Sequence, residues 1–307
     1  MIQDITPHFI NNAYQSDQIC QPTDPVFVFR QDRLLLLAEH SSLRLPTKQE
    51  LPQAKDLTYL FSYDHRSYYL ARSFSRTDDH STTAMSEDMI YARSADEDDP
   101  KEVTFGARTF LSLRMSDIRR DPRVRKDQYF SATIAFHLYR WYEESHFCGH
   151  CATPLVHDDR ERAMVCPSCK ARYYPRIMPA VIVGVIDKEN DKLLITRYAN
   201  RPISYDALVA GFTEIGETLE DNVRREVKEE TGLDVTNIRY YKSQPWGVVS
   251  DLLMGFYCDV EGSREITLDG ELKKAIWLSR DEIAGQPDDL SLTNEMMITF
   301  RDGKEPK

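Results

Sequence analysis

Short apolar runs in the first hundred residues predict β-strands. The candidate strands cover residues 26–29, 34–38, 57–62 and 68–72. Polar residues separate the first pair and the second pair, which is typical of strands joined in hairpins. We therefore expect an N-terminal α+β domain over residues 1–128.

The pattern changes twice further along the chain. Apolar residues recur at helical spacing between residues 129 and 144, at Phe130, Ile134, Leu138 and Trp141. This spacing predicts a helix that links two domains over residues 129–145. After Pro179, apolar runs at 180–186 and 192–196 predict two strands of a new sheet, in a last domain over residues 177–307.

Composition and charge narrow the class of protein. Hydrophobic residues make up 41% of the 307 residues and charged residues 29%, as in ordinary folded domains. The net charge of −11 argues against a general binder of duplex nucleic acid, although residues 114–126 hold six basic side chains. These basic residues either form a solvated face, which we favour, or attract a phosphate.

No apolar run approaches the roughly 18 residues of a membrane helix, so we expect no membrane partner. The first residues lack the basic start and apolar stretch of a signal peptide, which predicts a cytoplasmic protein.

Four cysteines form two C-x-x-C pairs, Cys148 with Cys151 and Cys166 with Cys169. Two such turns on facing hairpins supply the four thiolates of a closed tetrahedral site. The spacing therefore predicts a structural zinc ribbon over residues 146–176. A redox role is the weaker alternative, because neither pair begins a helix of a βαβ unit.

Three glutamates share one face of a helix predicted over about residues 218–230. Glu226, Glu229 and Glu230 stand at positions i, i+3 and i+4. Like charges at this spacing destabilise an isolated helix, whereas hard oxygen ligands suit Mg²⁺ or Mn²⁺. The pattern therefore predicts a catalytic divalent-cation site, with a solvated acidic face as the alternative.

Residues that flank this helix support the cation site. Gly211 and Gly232 are expected to permit sharp turns that bring Glu217, a further candidate ligand, towards the glutamate face. Arg225 is expected to pair with a glutamate and orient it.

The segment from Gly211 to Leu233 resembles the Nudix box, G-x5-E-x7-R-E-U-x-E-E-x-G-U, at every fixed position. The resemblance implies an α/β/α sandwich around a mixed sheet. It also implies hydrolysis of a nucleoside diphosphate linked to another group. Within it, Glu226, Glu229 and Glu230 are the metal ligands, and Glu229 or Glu230 is the catalytic base.

Downstream, Ser243-Gln244-Pro245-Trp246 resembles the start of the signature of the NAD(H) pyrophosphatase branch. That branch combines an N-terminal domain, a zinc ribbon and a Nudix domain in this order. The usual continuation Pro-Phe-Pro-x-Ser is replaced here by residues 247–251, Gly-Val-Val-Ser-Asp. We expect the missing prolines to loosen this loop.

The resemblance also implies roles for residues outside the box. Glu271 resembles a further metal ligand. Phe212 and Tyr174 resemble the aromatic residues that hold the nucleotide rings, and Gln244 and Trp246 are expected to bind substrate.

The reaction implied is hydrolysis of NAD⁺ or NADH to AMP and nicotinamide mononucleotide by a homodimer, with NAD-capped RNA as a further substrate. Two alternatives remain. One is another substrate such as ADP-ribose, and the other is a nucleotide-binding or RNA-binding regulator that does not hydrolyse its ligand.

Overall fold

The computed structural model describes residues 1–74, 102–105, 108–199, 205–268, 270 and 272–307. They form two compact units. One unit is Ile5–Arg176, and the other joins Met1–Asp4 to Ile177–Lys307. The first four residues thus belong to the C-terminal unit, and the zinc-ribbon segment belongs to the N-terminal unit.

Before the cysteine pairs, the described part of the N-terminal unit contains two sheets and two α-helices. Its elements before the cysteine pairs are β1 (Ile10–Asn11), β2 (Val26–Phe27), β3 (Phe29–Arg30), β4 (Arg33–Glu39), β5 (Ser42–Arg44), β6 (Ala54–Tyr63), β7 (Arg66–Phe74), β8 (Glu102–Phe105), β9 (Arg108–Arg114), α1 (Met115–Ile118) and α2 (Lys126–Glu144). One sheet has the order β1-β6-β7-β2, and the other has the order β3-β4-β9-β8 with β5 paired to β4. Three of the four strands expected from the sequence are part of these sheets, whereas the expected strand 26–29 is divided between β2 and β3, one in each sheet.

Local sequence explains the turn between β6 and β7. Asp64 and His65 both have positive φ, 46° and 66°, which matches the type I′ turn of a tight hairpin.

The 19-residue helix α2 buries Phe130, Leu138 and Trp141, as their spacing predicts, while Ile134 is partly exposed. No helix in the described part of the chain is long and apolar enough to span a bilayer.

A small three-stranded sheet follows α2 in the same unit. It consists of β10 (Val156–His157), β11 (Met164–Val165) and β12 (Arg172–Tyr173) in antiparallel order. One C-x-x-C pair precedes β10 and the other lies between β11 and β12, which is the arrangement that a zinc ribbon requires.

The C-terminal unit is built on a six-stranded mixed sheet. Its elements are β13 (Met178–Asp187), β14 (Lys192–Tyr198), β15 (Val209–Phe212), α3 (Leu219–Thr231), β16 (Asp234–Trp246), β17 (Asp251–Glu261), β18 (Leu272–Ser279) and α4 (Leu292–Arg301). The order is β16-β17-β13-β14-β18, with β15 also paired to β13. β13 and β17 are parallel, and the other pairs are antiparallel.

Alternating side chains of β13 place one helix on each face of this sheet. Val181, Val183 and Val185 pack in a cluster with residues of α3. The intervening residues Ile182 and Ile186 pack in a second cluster with residues of α4. Because successive strand residues point to opposite faces, β13 is the centre of the α/β/α sandwich expected from the sequence.

Candidate active site and zinc centre

The two cysteine pairs form turns of the same design. The amide of Ala152 donates to the Cys148 carbonyl at 2.8 Å, and the amide of Lys170 donates to the Cys166 carbonyl at 3.0 Å. Both donors have positive φ, 57° and 65°. This repeated backbone geometry turns all four thiols towards a common centre.

The four thiols fit a zinc ion. Their sulfur atoms all lie within 4.8 Å of one another, in the group Cys148, Cys151, Cys166 and Cys169. The Sγ–Sγ distances of 3.5 Å and 3.4 Å across the two turns are close to the roughly 3.8 Å that tetrahedral ligands about 2.3 Å from zinc require. The cysteines thus supply the donor set of a structural zinc site.

Tyr173 and Tyr174 lie beside the ribbon and differ in role. The Tyr173 hydroxyl accepts from the Gly149 amide at 2.9 Å and lies 3.2 Å from Cys148 Sγ. The hydrogen bond between Tyr173 and Cys148 is the largest cause of a lowered pKa of the Cys148 thiol, about 6, to which backbone hydrogen bonds of the turn also contribute. Tyr174 is 50% exposed, and its hydroxyl donates to Glu161 at 2.9 Å.

Helix α3 has the boundaries and caps that the box sequence predicts. The Thr218 hydroxyl accepts from the Asp221 amide at 3.1 Å, which caps the first turn. Gly232 ends the helix in a left-handed conformation, with φ of 75°. The helix therefore presents its glutamates at the end of β15, where Gly211 and Phe212 lie.

Arg225 is the centre of a hydrogen-bonded network, as its predicted orienting role requires. Its guanidinium donates to both carboxylate oxygens of Glu217, at 2.7 Å and 2.9 Å. It also donates to Glu226 at 2.8 Å, to Glu229 at 2.9 Å and to the Phe212 carbonyl at 2.9 Å. The paired charges raise the pKa of Arg225 and lower that of Glu217. Arg225 thus links Glu217, in the loop before α3, to Glu226 and Glu229 on the helix.

Gly211 has a different role from the one expected. It lies inside β15 rather than at a sharp turn, and a Cβ at this position would stand 1.9 Å from Cδ of Glu226. Gly211 is therefore needed for the close approach of a carboxylate. The turn glycine of this loop is Gly216, with φ of 88°, which the sequence reasoning missed.

The three helix glutamates differ in exposure. Glu230 is 2% exposed, and the side chain of Glu226 is 12% exposed. The Glu229 side chain is 55% exposed. Glu271 lies outside the described residues. Within little more than one helical turn, the exposure of the predicted ligands therefore ranges from a buried side chain, Glu230, to an exposed one, Glu229.

Hard oxygen donors of this kind fit a divalent cation. Arg225 donates to one oxygen of Glu226 and one oxygen of Glu229. Because a carboxylate has about four acceptor sites, both side chains keep sites that a cation can use. Among the described residues, the cysteine group is nevertheless the one set of three or more ligand atoms gathered within 4.8 Å. Joint coordination of a cation by the glutamates therefore requires side-chain rotation, for which Glu229 is exposed enough.

The predicted substrate residues of the C-terminal unit lie at one end of its sheet. Phe212 pairs with Ala180 of β13, Ala180 with Leu253 of β17, and Leu253 with Gln244 of β16. Trp246 lies two residues beyond Gln244. Phe212 is 51% exposed. Because strand residues alternate, Phe212 points away from the face on which Gly211 meets Glu226.

Gln244 has a structural position. It is fully buried, and its amide donates to Gln3 at 3.1 Å and to the Leu290 carbonyl at 2.9 Å. Its oxygen accepts from the Leu292 amide at 2.8 Å. These bonds hold the start of α4, so the amide is engaged within the fold rather than presented to a ligand.

Residues 247–250 form a tight turn between β16 and β17. The looser loop expected from the missing prolines stays a prediction. The Val249 amide donates to the Trp246 carbonyl at 3.3 Å, and Ser250 has φ of 67°. The Ser250 carbonyl then accepts from the Met178 amide at 2.9 Å. Backbone hydrogen bonds thus order the turn without prolines.

Comparison with known families agrees with this architecture. Residues 176–298 match the NUDIX domain, and residues 144–174 match the NADH pyrophosphatase zinc ribbon domain. The chain therefore carries a Nudix domain preceded by a zinc ribbon of the NADH pyrophosphatase type, as its sequence motifs implied.

Curated relatives of this chain are named NAD-capped RNA hydrolase NudC. Those from Salmonella heidelberg (strain SL476) and Salmonella typhi are each 40% identical over 147 residues, or 48% of this chain and 56% of the relative. The chain thus spans about half the length of the curated relatives it matches. A solved NUDIX hydrolase from Nitrosomonas europaea aligns with a TM-score of 0.44 and 23% identity, over 52% of this chain and 91% of that one.

Proposed function

We propose that this protein hydrolyses the diphosphate bond of NAD⁺ or NADH, giving AMP and nicotinamide mononucleotide, and that it also removes NAD caps from RNA. The observation that carries the proposal is the Arg225 network, which holds three box carboxylates together and also bonds to the Phe212 carbonyl. The adjoining zinc ribbon and the name of the curated relatives support the choice of an NAD-containing substrate.

The side chains of the site have different roles in the proposed reaction. A divalent cation, Mg²⁺ or Mn²⁺, supplies charge neutralisation at the diphosphate and activation of water when bound. Glu226, Glu229 and Glu230 would hold it, with Glu217 and Glu271 as further candidates. Arg225 positions three of these carboxylates, because its planar fork fixes their directions.

The attacking water loses its proton to Glu229 or Glu230 while its oxygen bonds to phosphorus. The bond from that phosphorus to the bridging oxygen breaks, and each product keeps one phosphate. Glu229 is exposed, whereas Glu230 is buried. These positions suit Glu229 to accepting the proton and releasing it to bulk water, and Glu230 to holding the cation.

Phe212 would supply a flat face for one ring of the substrate, and Trp246 is a further candidate contact in the same unit. A ring contact by Tyr174 stays a prediction of the family resemblance. Stacking recognises any planar ring, so it accommodates an RNA chain attached through the adenosine side. We further propose that the enzyme acts in the cytoplasm, where the thiols of a zinc site stay reduced, and that it is a homodimer, as the family resemblance implies.

A second substrate, ADP-ribose, is favoured by the turn at residues 247–250, which lacks the Pro-Phe-Pro stretch of the NAD(H) branch. A regulator without hydrolytic activity is disfavoured, because Glu226, Glu229 and Glu230 are all present.

Product analysis tests the proposal. The purified full-length protein is incubated with Mg²⁺ or Mn²⁺ and separately with NADH, NAD⁺, ADP-ribose and NAD-capped RNA. We expect AMP from both dinucleotides, with nicotinamide mononucleotide from NAD⁺ and its reduced form from NADH, and RNA with a 5′ monophosphate from the capped RNA. Cleavage of ADP-ribose alone would transfer the assignment to the second substrate, and no cleavage of any substrate would refute catalysis.

A further inference from the structure

Asn222 is a fully buried polar residue of helix α3, three positions before Arg225. It is 0% exposed. The Nudix box leaves the residue at this position open, because it lies in the x7 stretch between Glu217 and Arg225. A buried amide is unfavourable unless its donor and its acceptor are both hydrogen-bonded. The partners of Asn222 therefore show what this position requires.

The two ends of the Asn222 amide contact different parts of the site. Its oxygen accepts from Nη2 of Arg225 at 3.0 Å. Its nitrogen donates to the Thr213 hydroxyl at 2.8 Å and, over 3.4 Å, to the Gly211 carbonyl. A guanidinium only donates and a carbonyl only accepts, so this orientation of the amide satisfies both ends. Asn222 thus connects Arg225 to the end of β15 and to the residue that follows it.

Thr213 ties this connection to the sheet. Its amide donates to the Pro179 carbonyl of β13 at 3.0 Å. The preceding residue, Phe212, pairs with Ala180 of the same strand. Since β13 is the central strand of the sandwich, the Asn222 oxygen is held by a fixed part of the fold.

The neutral partners of Arg225 differ in one respect from its carboxylate partners. Because the cysteines are the one gathered ligand set in the described part of the chain, joint coordination of a cation requires Glu226 and Glu229 to rotate. The Asn222 oxygen and the Phe212 carbonyl both contact Nη2 of Arg225 and have no part in that rotation. Nη1 of the same guanidinium donates to Glu226 and Glu229. Because a guanidinium is planar, partners that fix Nη2 also fix the direction of Nη1.

We propose that Asn222 is a positioning residue for the divalent-cation site, which holds the guanidinium of Arg225 in place while the glutamates turn towards the cation. This role rests on the proposed function, because it requires a cation at the glutamate face. An aspartate at position 222 would have no donor for the Gly211 carbonyl, and an apolar residue would offer Arg225 no acceptor. Asn222 itself touches neither the cation nor the substrate, so its loss should change cation binding and turnover rather than the binding of the dinucleotide.

Binding of Mn²⁺ to the full-length, zinc-loaded protein measures this role without catalysis. The electron paramagnetic resonance signal of free Mn²⁺ gives the dissociation constant. We expect Asn222→Ala to weaken Mn²⁺ binding about tenfold, at the lower end of the roughly 10–100-fold that loss of a ligand-orienting residue causes. With NADH, kcat should fall by a similar factor, whereas KM at saturating Mn²⁺ should stay near the wild-type value.

Asn294→Ala is the matched control. Asn294 is a buried asparagine of α4, whose side chain accepts from the Gln286 amide at 2.7 Å and donates to the Asp288 carbonyl at 2.9 Å. Its loss should lower the thermal unfolding midpoint, as Asn222→Ala should, but leave Mn²⁺ binding unchanged. If Asn222→Ala does not fold, Thr213→Val replaces it, because it removes the hydroxyl that holds the Asn222 amide from a partly exposed position and should also weaken Mn²⁺ binding.

A double-mutant cycle shows whether Asn222 acts through Arg225. In an Arg225→Ala background, Asn222→Ala should change Mn²⁺ binding by less than about twofold, because the guanidinium that it holds is absent. An undiminished effect in that background, unchanged Mn²⁺ binding in Asn222→Ala, or equal weakening by Asn294→Ala would overturn the positioning role. A wild-type protein that binds Mn²⁺ but cleaves no dinucleotide would refute the proposed function, and the Mn²⁺ measurements would still decide the role of Asn222.

Discussion

The carboxylate of Glu226 lies against the backbone of Gly211, in the space where any larger residue would place its side chain. Gly211→Ala would put a Cβ 1.9 Å from Cδ of Glu226 and must displace the carboxylate. We expect turnover to fall about 10–100-fold, as for other changes that misplace a metal ligand. The measurement is kcat with NADH at saturating Mn²⁺, together with the thermal unfolding midpoint.

A double-mutant cycle separates this effect from general damage to β15. If Gly211 acts through the carboxylate, Gly211→Ala should cost little further activity in a Glu226→Ala background. Equal losses in both backgrounds would show that the glycine matters for another reason.

Arg225→Lys should lower kcat/KM about 10–100-fold although it keeps the charge. A lysine cannot reproduce the fork that contacts Glu217, Glu226 and Glu229 together. Arg224→Lys is the matched control, because the neighbouring arginine is exposed and contacts Asp221. Similar kcat/KM values for the two variants would contradict the orienting role.

Glu229→Gln and Glu230→Gln should each reduce turnover by about 10²–10⁴-fold, because a neutral amide neither holds a divalent cation well nor accepts a proton. Glu220→Gln, an exposed change in the first turn of α3, should leave turnover near the wild-type value. Near-normal activity of both variants at saturating metal would place the catalytic centre elsewhere.

Elemental analysis should find one tightly bound zinc per chain. Cys166→Ser removes a thiolate ligand and should lower both the zinc content and the unfolding midpoint, since binding of a structural metal stabilises the fold. Cys20→Ser should leave the zinc content unchanged, because Cys20 is not part of the cysteine group. A native protein without zinc, or a disulfide between Cys148 and Cys151, would contradict the hypothesis of a structural zinc site.

Local patterns in the sequence predict the elements well where a short segment determines its own structure. Thr218 and Gly232 mark the ends of α3, and the cysteine spacing marks the ribbon turns. The orientation of β13 could not be predicted in this way. Its nearly continuous apolar run predicts a buried strand, but only the packing of the helices decides that Val181 faces α3 and Ile182 faces α4.

Contacts between distant segments explain the errors. Gly211 was expected at a turn because the sequence does not show that Glu226 folds back onto it. Gln244 was expected to bind substrate, yet its amide is used by Gln3 and the start of α4, some 40 residues or more away in sequence.

Substrate choice is the most sensitive test of the proposed nucleotide site. Phe212 is 51% exposed and its carbonyl accepts from Arg225, so its backbone contacts the carboxylate network while its ring, on the opposite face of β15, is available for stacking. Loss of one stacked base costs about 1–3 kcal/mol, or roughly 5–150-fold in kcat/KM. We therefore expect Phe212→Ala to lower kcat/KM for NADH, NAD⁺ and ADP-ribose by amounts in this range. Tyr240→Ala is the matched control, since Tyr240 is a similarly exposed aromatic residue of β16 that contacts Phe256. If Phe212→Ala and Tyr240→Ala behave alike on all three substrates, Phe212 does not hold the nucleotide ring.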